Sequence, residues 1–167
     1  MVLGLSIQAF TIVHVVISLV AIASGFVVLF GMLRSQRMQS WTALFLLTTG
    51  LTSVTGFFFP IRGFTPAIGV GIISCLLLAP ALVGLYGKNL VGGWRWIYVA
   101  VALSAFYLNV FVLIVQSFQK VPTLRALAPT QSEPPFLVAQ AVALAAFIVL
   151  GIIAAFRFRP APDVLAH

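Results

Sequence analysis

Carboxylates are nearly missing from this chain. Two Asp and Glu stand against nine Lys and Arg in 167 residues, and charged residues are 7% of the total, where soluble domains carry roughly 25%. Glu133 and Asp163 fall on opposite sides of the membrane in the topology argued below, so no carboxylate pair is available for acid–base hydrolysis. No apolar segment contains an acid that could relay protons. With a single cysteine, Cys75, there is no internal disulfide and no evidence on redox compartment. The two histidines, His14 and His167, are too few for a zinc or di-iron site, which needs three or more clustered ligands. A haem held by two histidines would require a second copy or another subunit. A Ser53–His14 pair has no orienting acid and no G-x-S-x-G beside it. No metal or cofactor is therefore expected, with a quinone or haem at His14 as the alternative, and enzymatic activity is not favoured.

What the chain does contain is length without charge. Residues 1–33, 38–61, 63–87, 96–119 and 134–156 carry no Asp, Glu, Lys or Arg, and about 20 apolar residues cross the roughly 30 Å of bilayer hydrocarbon as a helix. The expected fold is an all-α membrane protein, one domain over 1–167, with five transmembrane helices near 7–33, 41–59, 66–87, 95–118 and 135–157. The first begins MVLGLSIQAF and runs uncharged to Arg34, without the basic start and shorter apolar core of a secretory signal, so it reads as a retained span. The formal charge of +7 comes from single or paired cations at span ends. Orientation and lipid headgroups account for these, and a nucleic-acid partner is not expected.

Orientation follows from where those cations sit. Arg34, Arg37, Lys88, Arg95, Arg157 and Arg159 fall on one side, and Arg62, Lys120 and Arg125 on the other. The richer side is placed in the cytoplasm, with the N-terminus outside and the C-terminus inside. Trp41, Trp94, Trp96 and Tyr86 then lie at inner span ends as an aromatic belt. Ser40 is expected to cap the second helix, Thr65 with Pro66 the third, and Glu133 to sit against the positive N-terminus of the fifth. Pro80 should kink the third span. The connector 119–134, QKVPTLRALAPTQSEP, is stiffened by prolines and reads as a structural link, with partner docking as the alternative; Leu124, Ala126 and Leu127 are expected to dip towards the interface.

Two patterns lie inside the spans. Ala67, Gly71, Cys75 and Ala79 recur at i+4 and place small side chains on one helix face, where a neighbouring backbone can approach closely. Packing within the bundle is the expected use, and a homo-oligomer or partner interface the other. Ala21/Gly25 and Ala139/Ala143 repeat the motif more briefly. Counting depth at 1.5 Å per residue, His14, Thr52, Asn109 and Gln140 fall in one outer layer, with Ser53 and Thr55 near it. Polar groups in hydrocarbon face the interior or a wet cavity. The layer is read as an interhelical hydrogen-bond network with neutral His14 bonded to Asn109, Gln140 or a threonine hydroxyl, or alternatively as an outward-facing ligand pocket centred on His14.

YLNVFVLIVQSFQKVP at 107–122 and LAPTQSEPPF at 127–136 resemble segments of small uncharacterised multi-pass inner-membrane proteins of bacteria. The resemblance implies a bacterial cytoplasmic membrane setting, and no activity or site comes with it. The expected role is a non-catalytic accessory or assembly subunit of a membrane complex. A small transporter or channel entered from the outer polar layer, and a quinone- or haem-binding redox subunit using His14, stand as alternatives.

Overall fold

The computed structural model describes residues 2, 4–60, 63 and 65–160. Arg62, Asp163 and His167, which entered the charge and ligand arguments, lie outside them. About 80% of the chain is helical, with no strands among the described residues. The elements are α1 (Ile7–Leu33), α2 (Gln39–Gly56), α3 (Pro66–Leu82) continued by a π-helical turn (Val83–Gly87), α4 (Trp94–Lys120), the short α5 (Pro122–Leu127) and α6 (Pro134–Arg157).

Local chemistry explains most of the helix ends. The Ser6 hydroxyl accepts the Ala9 N–H and opens α1; the Thr65 hydroxyl accepts the Ile68 N–H ahead of Pro66 at α3. One expectation is corrected: the cap position of α2 is Met38, without a side-chain bond, because the helix starts before Ser40. Glu133 stands at the N-cap of α6 as expected, with its carboxylate turned back onto Thr130 and Ser132. Pro80 lies inside α3, where it cannot donate to Leu76. Beyond it the turn widens, and the Lys88 N–H reaches five residues back to Val83 O at 2.8 Å.

Four of these helices, α1, α3 with its π turn, α4 and α6, are long and apolar enough to cross a membrane. The second expected span is not among them. α2 has 18 residues, ends at Gly56 rather than near 59, and spends its length on Thr42, Thr48, Thr49, Thr52, Ser53 and Thr55. Several of those hydroxyls satisfy themselves on the preceding turn: Thr48 donates to Leu44 O, Ser53 to Thr49 O and Thr55 to Leu51 O at 2.6–2.9 Å.

The long helices close a ring. α1 packs along α2, α2 along α3, α3 along α4 and α4 along α6, while α6 returns to α1. α4 meets every other helix, and its Phe106, 1% exposed, fills the middle of the ring. Its neighbours are Phe26 of α1 at 4.9 Å, Phe45 of α2 at 5.9 Å and Phe147 of α6 at 5.0 Å between centroids, all edge-to-face. Gly25 makes room for it: a Cβ there would lie 2.6 Å from the Phe106 ring.

Candidate functional site

The polar residues form pairs, each pinning two helices. His14 Nδ1 lies 2.8 Å from the Thr55 hydroxyl and joins α1 to α2; Asn109 Nδ2 donates to the Thr49 hydroxyl at 3.0 Å and joins α4 to α2; Gln140 Nε2 donates to Phe111 O at 3.3 Å and joins α6 to α4. His14 contacts a threonine hydroxyl rather than Asn109 or Gln140. Ser53 is buried against its own helix, and Thr52 keeps a buried hydroxyl with no partner among the described residues, as does Gln140 Oε1. We find no structural reason for the Thr52 orphan.

The Thr55 hydroxyl lies between Leu51 O at 2.6 Å and His14 Nδ1 at 2.8 Å; with its one proton donated to Leu51 O, it accepts from Nδ1–H. Phe59 stands edge-on to the imidazole at 5.1 Å and itself leans on Phe10 at 5.0 Å. Replacing His14 by Gln retains a donor for Thr55 and should change stability by less than about 0.5 kcal/mol. Leu removes the donor and should cost about 0.6–1.7 kcal/mol, the range of hydrogen bonds between membrane helices. Thermal unfolding of His14→Leu, Thr55→Val and the double variant in detergent measures the coupling; strictly additive losses would show that the two side chains do not interact.

The small residues of α3 divide. Gly71 and Cys75 are half-buried, Ala67 and Ala79 are exposed, and the fully buried line runs through Ser74, Leu78, Ala81 and Leu85. Gly71 nevertheless sits close to α2: a Cβ there would be 2.9 Å from the Phe57 ring and 3.6 Å from Ser53 O. Cys75 is a free thiol, and among the described residues no three His, Cys, Asp or Glu side chains cluster.

The connector between α4 and α6 is built rather than slack. Phe118, Ala128 and Phe136 form a second buried cluster, with Leu124 turned inward onto it instead of towards the interface. Gln131, at φ 59°, donates through Nε2 to Val115 O at 2.9 Å and accepts from Gln119 at 3.2 Å. Glu133 accepts from the Thr130 N–H and hydroxyl and from the Ser132 N–H at 2.9–3.1 Å. Desolvation, which raises its pKa, is outweighed by these bonds, which hold the carboxyl below its ordinary range. What the turn gains from the ionised form is therefore present at neutral pH and lost as pH falls through that lowered value. Residue types and spacing gave no sign of Thr49 as the partner of Asn109, of Phe106 as the hub, or of the Gln119–Gln131 staple, because each contact joins helices or turns whose facing is settled only in three dimensions.

No family model, curated protein or solved structure matches the chain.

Proposed function

We propose that this chain is a non-catalytic five-span subunit of the bacterial cytoplasmic membrane, N-terminus outside, that packs through α6 against another membrane protein. The carrying observation is the bareness of α6: none of its apolar window is buried, against 28–39% for the other three candidate spans. Its outer face presents Ala141 and Ala145 at i+4, both exposed, between Val138, Val142, Ile148 and Val149. Small residues so placed let a second helix backbone come close, which is how membrane helices associate when hydrocarbon supplies no hydrophobic drive. The interior argues in the same direction, since Phe106 and Phe45, each 1% exposed and packed edge-to-face, stand where a transport route through the ring would run. α2 counts as the fifth span in this reading. Its 18 residues reach about 27 Å, and it is flanked by α1 and α3 with Thr42, Thr48, Thr49 and Ser53 turned inward, away from lipid.

Purification from native membranes in mild detergent should recover a second membrane protein in fixed ratio. Ala141→Phe with Ala145→Phe should release it without lowering the melting temperature. A chain that migrates alone from native membranes overturns the proposal, and a complex made only of this chain converts it to a homo-oligomer. Orientation is tested separately: a reporter active only in the cytoplasm should work when fused after His167 and stay silent within 126–131.

A further inference from the structure

Two adjoining pockets open on the surface of the α4–α5 corner, about 350 and 390 Å³ in volume, and share Gln119, Arg125 and Pro129. Lys120 and Pro122 line one, Thr130 and Gln131 the other. Each lies at the small end of the range for ligand sites.

The charge here is one-sided. Lys120 and Arg125 contribute two cations, and neither has a carboxylate partner among the described residues. The only acid on this connector, Glu133, has its oxygens occupied by Thr130 and Ser132. The walls are held in place beforehand by the Gln119–Gln131–Val115 staple and by the edge-to-face contact of Phe118 with Phe136 at 5.4 Å. A planar guanidinium and an ammonium around one opening suit tetrahedral oxyanions, the first by paired N–H donors and the second as a point charge. Beside them Val121 and Leu127 are exposed, 42% and 56%, and give the same corner an apolar rim.

We propose that this corner binds a phosphate-bearing anion through Lys120 and Arg125, with Gln119 as an additional donor. The chemistry is shared by an anionic phospholipid headgroup, whose acyl chains would run past Val121 and Leu127, and by free phosphate. The proposal does not depend on the α6 interface.

The test titrates the full chain in neutral detergent with short-chain phosphatidylglycerol, with phosphatidylcholine of the same chain length, and with inorganic phosphate, reading binding by calorimetry. Each cation near a phosphate is worth roughly fivefold. Lys120→Gln with Arg125→Gln should therefore weaken phosphatidylglycerol binding about twenty-five-fold and leave phosphatidylcholine binding unchanged. Arg157→Gln with Arg159→Gln removes the same charge at the other end of the bundle and should have little effect. Binding of phosphatidylglycerol with no response to inorganic phosphate assigns the site to lipid. Saturable binding of inorganic phosphate that the Lys120/Arg125 variant abolishes assigns it to the free anion. Equal losses from the two double variants, or no preference of the unaltered chain for either anion over phosphatidylcholine, overturns the proposal.

Discussion

Gly25→Ala should destabilise the bundle by about 1–3 kcal/mol, although alanine is the better helix former by about 1 kcal/mol. The added carbon would stand 2.6 Å from Cδ2 and 2.7 Å from Cε2 of Phe106. That ring is itself 1% exposed and is held by the buried Phe45 of α2 and by Phe147 of α6, so it has no open side to rotate into. α1 must therefore move outward, loosening its contacts with both α4 and α6. Gly71→Ala is the control. Its new carbon meets Phe57 at 2.9 Å, but that ring is 40% exposed and can rotate, so gained helix propensity offsets the contact and the net change is near zero. Melting in detergent should separate the two variants by several degrees. The Gly25→Ala/Phe106→Leu double variant should lose less than the sum of its singles, since the smaller side chain admits the methyl. Equal, mild effects of Gly25→Ala and Gly71→Ala would show that the aromatic hub yields and that its packing does not hold the ring closed.

Residues 67, 71, 75 and 79 of α3 show what the sequence could reveal of packing and where it stopped. Period alone tells which side chains share a face of a helix. It does not tell which face meets a neighbour, and α3 buries the line through Ser74, Leu78, Ala81 and Leu85 instead. A tight approach between helices distant in the chain was at Gly25, half of a two-residue motif, because tightness depends on the partner, a phenylalanine 81 positions away. Helix limits were more legible. Charge-free intervals, Thr65-Pro66 and Pro134-Pro135 located α1, α3, α4 and α6 within a few residues, since length of apolar chain and cap chemistry are local properties. α2 was placed within three residues at each end but taken for a span as apolar as the others, because its hydroxyls, which bond within their own turn, do not register when only charge is counted.

The polar layer was partly legible in the same sense. Residue type and depth picked out His14, Asn109 and Gln140 as groups in need of partners, and each has one. Their division into α1–α2, α2–α4 and α4–α6 pairs depends on the order of helices around the ring, which hydropathy does not encode.

Arg95 was read only as a topology signal, yet it has a structural task with a large expected effect. Its Nη1 donates to Ala155 O at 2.8 Å and to Phe158 O at 2.6 Å, and the guanidinium stands 4.4 Å from the Trp96 ring. Those carbonyls belong to the end of α6, where a cation is favoured by the helix dipole and free acceptors need donors. The chain then turns inward: Phe158, 2% exposed, packs on Tyr98 at 6.1 Å, and the Arg159 N–H reaches the Ser35 hydroxyl at 2.8 Å. One side chain thus ties the ends of α4 and α6 to the α1–α2 corner. A hydrogen bond from a charged donor is worth about 1.5–3 kcal/mol, so Arg95→Ala should cost about 2–4 kcal/mol and free the segment after Arg157. Arg95→Lys keeps a charged donor but loses the planar group that faces the Trp96 ring and should recover about half of the loss. Trypsin cleavage between Arg157 and Phe158, followed by mass spectrometry in detergent, reads the release directly: it should be slow in the unaltered chain, fast in Arg95→Ala and intermediate in Arg95→Lys. Unchanged cleavage and melting in Arg95→Ala would mean that Phe158 alone, by its burial against Tyr98, holds the tail in place.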